Sequence, residues 1–305
     1  MSSEDEARSA HARVLSGLYS AALEAAPFHT VCSLLRVGGL ENANWDPFEE
    51  SRLAFDDFNW ILKQTLSARG MSAGRRVGML MYCQAIEMTA PHEMLANLLR
   101  CVLGQSYVVD PFADLARKKG LFLRVPPSAK QKFKRIRELA VEADKSAIVE
   151  VLDGLFDDRV RNAFSHSDYV LADSQFRFSE GGLAQQVDVA ELDTLIANAF
   201  AFYGVFMGLH KQWLRQLGTA KRFHKWPNYE VLELLSSAEE GLYGFSVHFS
   251  NGALATYTRR AEGTNATNIL FEPDGTINYM VGMLDALEPT WKIDGQPVHE
   301  WDALE

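Results

Sequence analysis

Arg161, Asn162 and His166 fall in one short stretch, Asp157-Asp158-Arg159-Val160-Arg161-Asn162-Ala163-Phe164-Ser165-His166-Ser167-Asp168-Tyr169. These side chains can carry phosphodiester chemistry without a metal. An imidazole exchanges protons near neutral pH, so His166 could serve a ribose 2′-hydroxyl or a leaving 5′-oxygen. A guanidinium keeps its charge, and its planar fork matches a phosphate. Arg161 could therefore stabilise charge building on the non-bridging oxygens. Asn162 adds a small polar group beside both. The same residues also have a plain structural reading. Arg161 follows Asp157 and Asp158 at the spacing of a helix-surface ion pair. His166 could cap a helix C-terminus, where the dipole favours a cation. An Arg and a His at this spacing arise readily by chance, so context must carry the weight.

The spacing itself sets a condition. Five residues on a continuous helix span about 500°, which leaves Arg161 and His166 about 140° apart on the wheel. They can converge only if the helix ends between them. Ser165-His166-Ser167-Asp168 is poor helix material and a strand-like segment follows. A helix running from about Lys145 is therefore expected to stop between Phe164 and His166.

The elements that would position this stretch are mostly helical. A helix is expected over Ser3 to about Ala26, opened by the capping pair Ser3 and Glu6. A loop with Gly38-Gly39 and Asn42-Ala43-Asn44 follows. Asp46 then caps a helix with Pro47 at its first position, and Gly70 stops it. Arg75 to about Leu103 is apolar on more than one face, as a central buried helix would be, with a kink at Pro91. Asp110 to Lys119 reads as a short helix ended by Pro126-Pro127. Helices over Ser128 to about Val141 and Lys145 to about Phe164 come next. The second repeats Ile148, Val151, Leu152, Leu155, Phe156 and Val160 at helical spacing. A short hairpin, the turn Gly181-Gly182 and a long helix from Val189 to about Leu217 complete the helical region. Beyond Trp226-Pro227 the pattern alternates. Hairpins are expected at the Asn251-Gly252 and Pro273-Asp274-Gly275 turns, in a small antiparallel β unit from about residue 238. Trp291 and Trp301 are candidates to dock that unit. The expected segments are an N-terminal helical extension (1–72), a helical bundle (73–217) and a small C-terminal α+β domain (226–305).

Composition narrows the setting. The 305 residues are 47% hydrophobic and 23% charged, an ordinary globular balance. The acidic start lacks the basic-then-apolar order of a signal peptide, and no unbroken apolar run suggests a membrane span. Cys32, Cys83 and Cys101 have no C-x-x-C spacing and suit buried thiols in a reducing compartment, so a cytoplasmic protein is expected. The net charge of −10 argues against generic nucleic-acid binding. It leaves room for a local basic site, and Lys130, Lys132, Lys134, Arg135 and Arg137 crowd one helix. Lys130, Lys134 and Arg137 share a side, with Lys132 and Arg135 flanking. This cluster could hold RNA phosphates or be a solvated helix face. His92-Glu93 lacks the second His of a metal motif, and no phosphate-binding glycine loop occurs, so no metal or other cofactor is expected.

Arg161-Asn162-Ala163-Phe164-Ser165-His166 at a helix end, then Tyr169, a hairpin and a long apolar helix, resembles the HEPN superfamily. That family carries an R-x4-6-H motif, often with a polar residue after the Arg, on an up-and-down bundle of about four helices. The likeness covers roughly residues 73 to 217. It implies a mainly α fold and a metal-independent endoribonuclease acting on RNA, of the kind found in toxins, phage defence and RNA processing. It also implies a homodimer whose paired motifs form one composite site. By the same likeness Arg161 would stabilise the phosphate, His166 would be the acid/base, and Asn162 would orient substrate or His. A regulatory or antitoxin protein partner is implied as well. One toxin branch has a regulatory Tyr two residues after the His. Tyr169 stands three after, with Asp168 between, so control at Tyr169 departs from that pattern. The rival expectation is a non-catalytic protein-interaction or RNA-binding module of similar fold.

Overall fold

The computed structural model describes residues 3–36, 47–119, 123–217, 222–225, 230–248, 254–260, 263–266, 270–271, 277–278, 292–293 and 296–297. The protein is mainly helical, with antiparallel sheets. The chain divides into two compact units. One comprises Met1–Gly17, Glu50–His92 and Phe112–Met207. The other comprises Leu18–Glu49, Glu93–Pro111 and Gly208–Glu305.

The first unit carries the Arg161–His166 stretch. Its helices are the start of α1 (Ser3–Ala25), most of α3 (Pro47–Glu87), α5 (Ala129–Glu142), α6 (Ser146–Asp153), α7 (Asp158–Ser165) and most of α8 (Val189–Gln216). The expected stop at Gly70 appears as a break inside α3, where Gly70 takes φ 74°. A side chain there would be strained. The α5 helix opens with a complete capping box, in which Ser128 and Gln131 satisfy each other's backbone N–H. Tyr82, Ile136, Leu155, Val160, Leu192 and Tyr203 are among its fully buried residues.

Two expectations fail here. The helix expected from Lys145 to Phe164 is two helices, α6 and α7. The apolar spacing carries across the break because Leu152, Leu155 and Val160 are buried on both sides of it. The helix expected over 110–119 is a 3-10 turn at Ala113–Leu115 and a strand, β1 (Arg117–Lys119), paired with β2 (Leu123–Val125). After α7 come β3 (Tyr169–Leu171), β4 (Gln175–Glu180) and β5 (Leu183–Asp188), an antiparallel three-stranded meander. Its third strand adds to the expected hairpin. Among the described helices, α8 alone is long and apolar enough to cross a membrane, but over half of that window is buried. Leu192, Ala199, Tyr203 and Phe206 make it a core helix of this unit.

The second unit contains α2 (Pro27–Leu35), most of α4 (Thr89–Val102) and five antiparallel strands in sequential order. These are β6 (Arg222–Lys225), β7 (Glu230–Ser237), β8 (Gly241–His248), β9 (Leu254–Arg260) and β10 (Gly263–Ala266). Two short ladders follow, β11 (Leu270–Phe271) with β12 (Ile277–Asn278), and β13 (Lys292–Ile293) with β14 (Gln296–Pro297). The sheet begins earlier than residue 238. The helix α2 was not expected from the sequence, and all nine of its residues are buried. The chain breaks at Met88, and Pro91 sits in the first turn of α4, where a missing N–H is tolerated. The first and last segments share a core. The Tyr257 hydroxyl donates to the Arg36 carbonyl at 2.9 Å, and Arg259 donates to the Leu34 carbonyl at 3.2 Å, at the end of α2. The described residues 18–36 therefore fold with the sheet. Gly38-Gly39, Asn42–Asn44, Asp46, Trp226-Pro227, the turns at Asn251-Gly252 and Pro273-Gly275, Trp291 and Trp301 lie outside the described residues.

Candidate active site and the cleft beside it

The stretch is built around a helix of only eight residues. Asp157 begins it as N-cap, its carboxylate accepting the N–H groups of Arg159 at 2.9 Å and Val160 at 3.4 Å. The Tyr82 hydroxyl fixes the approach. It donates to the Leu155 carbonyl at 3.1 Å and accepts the Asp157 N–H at 3.0 Å. Burial pushes the Tyr82 phenol above its ordinary range, so it stays protonated and able to donate.

The helix ends where the spacing argument requires. Ser165 is its last residue and His166 its C-cap. Ser167 then takes φ 56°. The Ser167 N–H reaches the Phe164 carbonyl at 3.0 Å, and the Asp168 N–H reaches back to the Ala163 carbonyl at 2.9 Å. These two bonds make a Schellman terminus. Glycine usually holds the left-handed position of that motif, and serine holds it here at some cost in strain. The end of α5 has the same arrangement, with Asp144 at φ 53°.

Arg161 pairs with neither Asp157 nor Asp158. Asp157 holds Arg159 at 2.7 Å and Asp158 holds Lys130 at 2.9 Å. Arg161 instead pairs with Glu87, the last residue of α3, and donates to the Asn162 side-chain oxygen at 2.8 Å. Its side chain remains 27% exposed, so the pair is part-buried but still reachable from solvent. His166 is exposed and makes no side-chain hydrogen bond or ion pair to a described residue. The two side chains share no hydrogen bond. Tyr169 is half-buried, its ring 5.5 Å from Phe164 and 5.2 Å from Phe176. Cys83 lies behind Arg161, its Sγ 4.0 Å from the Arg161 carbonyl. Burial pushes its thiol up to about 11, so it is no nucleophile at neutral pH. All three cysteines are buried and none is in a disulfide.

The basic cluster on α5 divides. Lys130, Lys134 and Arg137 line a cleft of about 610 Å³ between α5, α6 and α7, together with Phe133, Leu152, Phe156 and the first residues of α7. Arg135 turns away and pairs with Asp114 at 2.7 Å. Lys132 is buried, its ammonium donating to the Thr89 hydroxyl at 2.6 Å, so it offers no cation to an outside ligand. His92 is no metal ligand. Its Nε2 meets the Tyr203 hydroxyl at 2.8 Å inside the core, and burial, aided by Lys132, pushes it down to about 3. Among the described residues no group of three His, Cys, Asp or Glu could hold a metal ion. Glu87, Phe156 and Arg159 are the members of this region that the sequence left unmarked. Glu87 lies 74 residues before Arg161, and no local spacing links them.

Compared with known family models, curated proteins and solved structures, the chain matches none.

Two stability changes follow from the ends of α7. Glycine at 167 relieves the positive φ, so Ser167→Gly should stabilise the protein by about 0.5–1 kcal/mol in urea unfolding. An unchanged or lowered midpoint contradicts that reading of the terminus. Burial alone would raise the Asp157 carboxyl, but bonds from the Arg159 side chain and backbone and from Val160 outweigh it and hold it below the usual range. A folded pKa below the unfolded one gives stability that is present above about pH 4 and lost as pH falls through the folded value. Asp157→Ala should therefore cost about 1 kcal/mol at pH 7. The gap to the parent protein should narrow in urea melts near pH 3. A gap that does not change with pH would count against this account of the cap.

Proposed function

We propose that the protein is a metal-independent endoribonuclease of the HEPN type, acting as a homodimer. One observation carries the reading: α7 stops at Ser165, so the His166 side chain leaves the helix exposed and without a partner among the described residues, five residues after an Arg at the helix surface. In the reaction a ribose 2′-oxygen attacks the adjacent phosphorus and the 5′-oxygen leaves, giving a 2′,3′-cyclic phosphate and a 5′-hydroxyl. His166 takes or delivers a proton, and the facing protomer's copy supplies the complementary transfer. Arg161 stabilises charge on the non-bridging oxygens. Asn162, bonded to Arg161 at 2.8 Å, orients the guanidinium. Lys130, Lys134 and Arg137 hold neighbouring phosphates. Arg135 and Lys132 contribute to the fold instead, the first through Asp114 and the second through Thr89. On this reading the up-and-down bundle would be drawn from the second half of α3, α5, α6 with α7, and α8.

A cell must restrain such an activity, so the reading includes a toxin or a defence or RNA-processing effector with a silencing protein partner in the cytoplasm. The half-buried Tyr169 ring makes it a harder modification target than an exposed one.

A second reading, a non-catalytic interaction module of the same fold, is favoured by a specific observation. Arg161 is already paired with Glu87. A phosphate must exchange with Glu87 or share Arg161 with it. The pair is only partly buried, so a phosphate making a charge-assisted bond can compete for the guanidinium.

RNA incubated with the protein in EDTA should be cut, and Arg161→Ala and His166→Ala should each lose at least about 100-fold in rate. Variants that cleave as fast as the parent would sink the assignment. An intact protein that cleaves nothing, alone or with its natural partner, would favour the interaction module.

A further inference from the structure

We infer that the cleft between α5, α6 and α7 seats one unpaired nucleotide of an RNA strand, its base against Phe156 and its phosphate on Lys134 and Arg137. The inference rests on the ribonuclease reading only in calling that strand a substrate. The floor of the cleft is Phe133, Leu152 and Phe156. The two rings stack with centroids 4.7 Å apart and planes 17° apart. Phe133 is buried while Phe156 is half-buried, so Phe156 keeps surface available to a ligand. An apolar aromatic floor under cations is the arrangement that stacks a base and holds its phosphate without reading sequence.

The cations differ in how firmly they are held. Arg159 is bound to the Asp157 cap through two hydrogen bonds and stays there. Lys134 is 77% exposed and lies 3.8 Å from Glu138, beyond a hydrogen bond. Arg137 pairs with Asp153, both half exposed. Such pairs contribute little and are screened by salt, so a phosphate can replace their partners. The lining holds Lys130, Lys134, Arg137 and Arg159 against Asp153, Asp157 and Asp158. That near balance leaves affinity to depend heavily on stacking, which selects an unpaired base. A base locked in a duplex cannot reach a ring on the cleft floor. His166 lies seven residues past Arg159, about 10 Å along α7, a distance that a few nucleotides cover.

The test uses the full chain carrying His166→Ala, so that RNA stays intact. Fluorescein-labelled oligouridylate is titrated by anisotropy, alone and annealed to its complement. The single strand should bind at least about ten times more tightly than the duplex. Phe156→Leu should weaken it about 5–100-fold. Lys134→Gln with Arg137→Gln, both exposed and safe for folding, should weaken binding and lower the slope of log affinity against log salt by about 1.4. Equal affinity for duplex, no saturable binding, or an unchanged salt slope in the double variant would overturn the seat. So would unchanged affinity in a Phe156→Leu protein. Single-strand binding without cleavage by the parent protein would leave the seat standing and remove the ribonuclease reading. Cleavage with no preference for single strands would do the reverse.

Discussion

The Tyr82 hydroxyl donates to the Leu155 carbonyl and accepts the Asp157 N–H, so one buried side chain of α3 satisfies the backbone on both sides of the break between α6 and α7. An unpaired polar group at such a depth would cost about 1–3 kcal/mol, so the break is held rather than tolerated. Its consequence is register. With α7 started afresh at Asp158, its rotation does not follow from that of α6. Arg161 then comes to the end of α3, beside Glu87. Eight residues suffice to bring Arg161 into the last turns and place His166 at the cap.

Electrostatics in this unit is a matter of allocation. The chain is strongly acidic, and most cations near the stretch have a named carboxylate. Arg159 goes to Asp157, Lys130 to Asp158, Arg137 to Asp153 and Arg161 to Glu87. The pairing around the Asp157 cap is the firm one, because it also closes the helix N-terminus and faces the Tyr82 bond. The Lys130 and Arg137 pairs are exposed and can exchange, and the Arg161–Glu87 pair is part-buried. That contrast separates residues that build the site from residues that could meet a polyanion. His166 stands outside the allocation, the one member of the motif with no protein partner among the described residues.

Much of this was legible in the sequence, and the gaps have physical causes. Ser165 to Asp168 signalled a helix end, and the structure closes α7 there with a Schellman terminus. Asp157 and Asp158 read as candidate partners of Arg161, but they hold Arg159 and Lys130 instead, and the helix they begin was hidden, since Leu152, Leu155 and Val160 keep a helical period across a break. Asp157 read as a mid-helix acid and is an N-cap. The wheel placed Lys130, Lys134 and Arg137 on one side, and they do line one cleft. The burial of Lys132 depends on Thr89, 43 residues earlier in the chain. Glu87 is equally remote from Arg161. Long-range pairs of this kind leave no periodic trace.

The most direct measurement is the chemistry of the ends left on RNA cut by the purified protein in EDTA. Attack by a 2′-hydroxyl, with Arg161 and His166 intact, leaves 2′,3′-cyclic phosphate and 5′-hydroxyl ends, detectable by mass spectrometry of the fragments. Their appearance with the parent protein and absence with His166→Ala is the result this account requires. Fragments bearing 5′-phosphates, or cyclic ends formed equally by the His166→Ala protein, would contradict it.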